Sequence, residues 1–211
     1  MSTEIKLHCW ISYATGERFH DVRVIPNIHF TTFYEALHTV SKAIKKCSFL
    51  ELKFPQTPAE CEEAANDFMS CSRGGAICQC VGFIDGYLAE VKQVTSSDHC
   101  NPRAFYSGHY NCPGLNVQAV CDSKCRFTYF SVAAVGSTPD CVAFEKTDLP
   151  ELLENLPYAY YLFGDCAYVC TNQLLVPFSG SQRMNPANDS FNFHLSQLRI
   201  KIEQAFGVSL H

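Results

Sequence analysis

The sequence predicts an α/β fold: a mixed sheet flanked by helices, with a small helical lobe ahead of it. Three observations carry this. The run Cys80 to Ile84 is short and apolar, suits a buried strand, and closes on Asp85-Gly86. Two further strand-like runs, Leu115 to Cys121 and Phe127 to Ala134, flank Asp122-Ser123-Lys124 and read as a hairpin. A helical segment then leads to an aromatic run, Tyr158 to Phe163. A hairpin beside a first strand, followed by a helical crossover to a fourth, is the plan of a mixed sheet.

Taken in order, residues 1 to about 25 give weak signals. Leu7, Cys9, Ile11 and Tyr13 alternate, which fits a short strand or a helix fragment, and Val22 to Ile25 is stopped by Pro26. From Ile28 the pattern is helical. Thr31 and Thr32 are N-cap candidates, with Glu35 placed for a capping box, and Phe33, Leu37, Val40 and Ile44 form an apolar stripe. Val24 to Ile44 is a candidate second half of a helix-turn-helix, weighed against a plain helical lobe. A second helix opens at Thr57-Pro58, where Pro58 suits the first turn and Glu60, Glu62 and Glu63 suit the positive end. Ser70 to Gly75 is a polar joint. The expected division is a helical lobe over 1–76 and an α/β domain over 77–211.

In the first strand, Gly86 permits a turn, which would leave Asp85 at the strand's carboxyl end. Residues 96 to 113 read as loop. Cys141 to Leu156 reads as helix, interrupted at Pro150. Residues 171 to 190 read as mixed loop, and Phe191 to Gly207 as the last helix.

Composition narrows the function. The 211 residues are 47% hydrophobic and 18% charged, enough for one ample core and a small second lobe. The net charge of -5 argues against a simple basic nucleic-acid binder. Any DNA contact then needs a local basic patch or metal ions to offset phosphate repulsion. Met1 to Lys6 is polar with no apolar region behind it, and no stretch approaches the length of a membrane span. The expectation is a nuclear or cytoplasmic chain, not secreted and without a membrane partner. Most of the 13 cysteines read as small buried apolar side chains in a reducing compartment. Cys78-x-Cys80, His99-Cys100, His109-x-x-Cys112, Cys121-x3-Cys125 and Cys166-x3-Cys170 lack the paired spacing of a zinc site.

The chemistry points to acids. If the first and fourth strands are parallel neighbours, Asp85 and Asp165 share one rim of the sheet, where α/β sites usually form. Asp140 opens the helix between them. On the last helix Asn192, Ser196, Arg199 and Glu203 fall on one polar stripe, and Leu195, Leu198, Ile202 and Phe206 on an apolar one. Clustered carboxylates repel one another unless protonated or bridged by cations, and hard oxygen donors suit Mg²⁺ or Mn²⁺. Two such ions can activate water and stabilise the leaving oxygen at a phosphodiester.

Five motifs, in order, strengthen this: Cys80-Val-Gly-Phe-Ile-Asp-Gly, Gly114-Leu-Asn-Val-Gln-Ala-Val-Cys-Asp, Gly136-Ser-Thr-Pro-Asp, Gly164-Asp-Cys-Ala-Tyr, and Asn192 to Gly207. Together they resemble the catalytic domain of PIF/Harbinger transposases, which are DDE-superfamily endonucleases with an RNase H-like fold. The resemblance covers about residues 77 to 211. It implies a two-metal nuclease with Asp85, Asp165 and Glu203 as the catalytic triad, and Asp85, Asp140, Asp165 and Glu203 as ligands of two Mg²⁺ or Mn²⁺ ions. It implies a DNA substrate, with a separate DNA-binding protein and an oligomer as further expectations. Arg103 and His109, in a loop with Tyr106, and Arg199 are the candidate substrate contacts; Arg199 reads equally as half of an ion pair. The family commonly has Thr-His after the first Asp-Gly, where this chain has Tyr87-Leu88. The chain ends at His211, eight residues past Glu203, where family members continue with helix and basic residues. That sets a second expectation: an inactive or repurposed remnant that binds DNA or protein without cutting.

Overall fold

A computed structural model describes residues 1–24, 26–92, 95 and 101–209. Ile25, Ser96 and the His99-Cys100 pair therefore lie outside the described residues. The chain divides into two compact units, Met1–Leu52 with the end of the chain from Phe206, and Lys53–Ala205.

The first unit is built on α1 (Thr3–Ala14), α2 (Phe19–Val24) and α3 (Phe30–Lys45). The alternation at Leu7 to Tyr13 belongs to a helix: Ser2 caps α1, and only Cys9 and Ser12 are buried in it. Cys9, Val22, Phe33 and Leu37 make the buried cluster of this unit. The cap of α3 differs from expectation. His29, not Thr31 or Thr32, is the N-cap, its Nδ1 accepting from the Thr31 N–H at 3.3 Å.

The second unit opens with α4 (Pro58–Cys71). Thr57 caps it with a complete capping box: its hydroxyl accepts from Glu60 N–H, and the Glu60 carboxylate accepts from Thr57 N–H at 3.0 Å. Helix α4 packs on β1 (Cys80–Glu90), so it belongs with the sheet and not with the helical lobe.

Among the described residues the sheet is six-stranded and mixed. Its other strands are β2 (Tyr106–Ser107), β3 (Cys112–Cys121), β4 (Phe127–Val135), β5 (Tyr161–Phe163) and β6 (Leu174–Leu175). Strand β3 pairs antiparallel with both β1 and β4, which makes the expected hairpin. On the other side of β1, β5 runs parallel to it, with Phe83 opposite Phe163, and β6 runs parallel to β5. Helices α5 (Asp140–Phe144) and α6 (Leu149–Glu154) form the crossover, broken near Pro150 as expected. Helix α7 (Pro186–Ser209) follows. This mixed sheet flanked by helices is consistent with an RNase H-like fold.

Burial explains the packing. Phe68 of α4, Phe83, Phe163 and Phe191 of α7 form a chain of ring contacts at 6.3, 5.2 and 5.7 Å. Leu195, Leu198 and Ile202 of α7 are buried, so the apolar stripe docks as its spacing predicts. Val81, Ile84, Val120, Leu149, Leu153 and Leu162 anchor a second cluster with the crossover helices.

One expectation is corrected here. Asp85-Gly86 is not a turn, because β1 continues to Glu90, pairing with β3 throughout: Asp85 lies opposite Ala119 and Gly86 opposite Gln118. Only the parallel pairing to β5 stops, at Phe83. Asp85 thus sits at a rim because its neighbour strand ends there. The glycine serves close approach instead: a methyl group at Gly86 would overlap the Asp140 carboxylate.

Candidate active site

Three aspartates line one cavity of about 500 Å³, together with His109, Tyr110 and Arg199. Each arrives by a different route. Asp85 lies on β1, two residues past the last β5 pairing. Its Oδ1 accepts from the Gly86 N–H at 2.8 Å. Asp165 follows β5 by two residues, and its Oδ1 accepts from the Ala167 N–H at 2.8 Å, an Asx-type turn that holds the carboxylate at the strand end. Asp140 opens α5. Its Oδ1 accepts from Asn116 Nδ2 at 2.8 Å and from Gln118 Nε2 at 3.2 Å, both amides standing on β3.

The electrostatics are those of crowded negative charge. Burial and then the neighbouring Asp165 charge push the Asp85 carboxyl up to about 6, and Asp140 adds in the same direction. The Gly86 N–H and the Arg199 guanidinium oppose the rise without cancelling it. Burial and the charges of Asp140 and Asp85 raise Tyr110 as well.

Glu203 stands apart. It is exposed, does not line the cavity, and accepts from Arg199 Nε at 3.1 Å across one helical turn. Arg199 links the two, since it lines the cavity and holds Glu203. Asn192, on the same stripe, is occupied structurally: its amide both donates to and accepts from the Phe178 backbone at 2.9 Å. Of the candidate substrate contacts, His109 and Arg199 line the cavity, while Arg103 is exposed and outside its lining. The sequence reading missed Tyr110, Asn116, Gln118 and Tyr168. The alternation Asn116-x-Gln118, two amides on one face of a strand whose other residues from Leu115 to Val120 are Leu, Val and Ala, was the signal that could have found the pair.

The donor set suits a hard divalent ion. Three carboxylates that repel one another gain from a bridging cation. Among the described residues no three carboxylate, imidazole or thiol groups are gathered closely enough to enclose one ion. Mg²⁺ commonly takes only one or two carboxylates, completing its shell with water and phosphate oxygens, so an open rim of aspartates fits that demand. The described cysteines are unpaired thiols. No helix among the described residues is long and apolar enough to cross a membrane.

Comparison with known proteins bears on the same region. A family model described as DDE superfamily endonuclease matches residues 84–209, from the start of the acidic rim through α7. No curated protein and no solved structure matches the chain significantly.

Proposed function

Because the chain belongs to the DDE superfamily of endonucleases, we propose that it is a divalent-metal-dependent DNA endonuclease of the transposase type, close to the PIF/Harbinger group. The observation that carries this reading is the convergence of Asp85, Asp140 and Asp165 on one cavity, with burial and then the neighbouring acids pushing Asp85 toward protonation. Asp85 and Asp165 would hold a pair of Mg²⁺ or Mn²⁺ ions, with Asp140 as a further ligand. Such ions, when bound, supply activation of a water and charge stabilisation at the scissile phosphate. Arg199 and His109, which line the cavity, would meet phosphate oxygens, and Arg199 offers a forked donor suited to them. In this reading Glu203 completes the triad by exchanging Arg199 for the site. The substrate is DNA, met in the nucleus or cytoplasm, with a separate DNA-binding protein as the natural source of sequence choice.

A second reading has one observation in its favour. The Arg199–Glu203 pair keeps Glu203 off the cavity, as befits a domain that binds DNA without cutting it. One experiment separates them: the purified chain is incubated with supercoiled and linear duplex DNA in Mg²⁺ or Mn²⁺. Nicking or cleavage is expected, falling at least about a hundredfold in Asp85→Asn and in Asp165→Asn, the scale of losing essential electrostatic stabilisation. Binding without cleavage supports the second reading. Cleavage that survives Asp85→Asn overturns the first.

A further inference from the structure

Beneath the acidic cavity runs a buried polar chain that the metal-dependent reading does not itself require. Gln118 is fully buried, and Tyr168 and Asn116 nearly so. Tyr168 Oη lies 2.7 Å from Gln118 Oε1, Gln118 Nε2 lies 2.8 Å from Asn116 Oδ1, and both amide nitrogens reach Asp140 Oδ1. Asn116 Nδ2 also donates to the Thr138 carbonyl at 3.1 Å.

The direction of every bond follows from one end. Asn116 Nδ2 and Gln118 Nε2 both donate to Asp140 Oδ1, so the two amide nitrogens face the carboxylate. Gln118 then presents Oε1 to Tyr168, which must donate. Burial, followed by the charges of Asp140, Asp85 and Asp165, raises Tyr168 far above the ordinary phenol range, which keeps that proton in place. The Gln118 amide is thereby satisfied at both hydrogens and at its oxygen. If packing alone mattered here, an apolar side chain would fill the position with no polar groups to satisfy.

We infer that Tyr168, Gln118 and Asn116 are positioning residues that commit Asp140 Oδ1 to the protein and so present Oδ2 alone to a cation in the cavity. Gly86 completes the seat, since any larger residue there would displace the same carboxylate. The inference rests on the metal-dependent reading and deepens it: Asp140 is a single-oxygen ligand aimed before the ion arrives. Groups that orient a metal ligand in this way typically change affinity ten- to a hundredfold when removed.

The test is a Mn²⁺ titration of the full chain, with free Mn²⁺ read by electron paramagnetic resonance and metal-free melting recorded beside it. Asp85→Asn should abolish high-affinity binding. Tyr168→Phe, which removes one oxygen, and Gln118→Met, which keeps the volume, should each weaken Mn²⁺ binding at least about tenfold. In an Asp140→Ala background, Tyr168→Phe should cause no further loss, because its effect passes through Asp140. Parent-like Mn²⁺ affinity in both single variants, or an equal loss from Tyr168→Phe with and without Asp140, overturns the inference while Asp85-dependent binding stands. If Mn²⁺ binding ignores Asp85→Asn, the metal-dependent reading itself falls, and the positioning role with it.

Discussion

Asp85 is the residue at which the cost of the site is concentrated. Its carboxyl rises from 3.8 to about 6 in the folded chain. Without metal, the folded state therefore holds a proton between about pH 4 and pH 6 that the unfolded chain has already released. Stability must rise as pH falls through that window, and above about pH 6 the buried charge exacts its full penalty. Asp85→Asn, which can still accept from the Gly86 N–H, should raise metal-free stability at pH 8 by on the order of 2–3 kcal/mol and change little at pH 4. Thermal melts at the two pH values in a chelator check this; a variant less stable than its parent at pH 8 would contradict it. The residue's identity was legible in the sequence, but its setting was not. Asp-Gly is ordinarily read as a turn, and nothing local says that β3 will carry β1 onward, or that the glycine makes room for a carboxylate 54 positions away.

Among the elements, α4 shows the closest agreement between local signal and structure. Thr57, Pro58 and Glu60 start it as written, and the capping box forms. Thr57→Ala should lower the melting temperature by a few degrees, equivalent to about 1 kcal/mol; an unchanged melt would mean that the helix start is held by packing instead. Helix α7 was likewise legible from its stripe, because a face that must bury Leu195, Leu198 and Ile202 repeats at the helical period. Strands β2 and β6 were not, since two-residue strands carry no period at all. The alternation in α1 left strand and helix both open for a related reason: that helix leaves Leu7, Ile11 and Tyr13 exposed, so its apolar pattern does not report burial.

For the whole molecule, the decisive feature is the parallel pairing of β1 with β5, which gathers acids from distant segments onto one rim. The sequence implied that topology through the crossover between the strands, whereas side-chain relations at the site, such as the Arg199–Glu203 pair, depended on coordinates. A rim of uncompensated charge also couples binding to folding. Mn²⁺ at a hundredfold excess over its dissociation constant should stabilise the native state by about 2.7 kcal/mol. For a unit of this size that is a rise of roughly 5–10 °C in melting temperature. Calorimetry with and without Mn²⁺ should show the rise in the parent and its loss in Asp165→Asn; an equal rise in both would place the ion elsewhere.

The same scattering has a consequence for how the chain is made. Among the longer strands a ribosome releases β1 first, then the β3–β4 hairpin that can close on it at once. Asp165 and Arg199, which complete the cavity, emerge after that hairpin. A polypeptide cut short by a nonsense codon or a protease before position 165 has most of a sheet and only part of a cavity. For a protein whose proposed work is to cut DNA, such a fragment lacks one of the two strand-borne aspartates on which that work is proposed to depend.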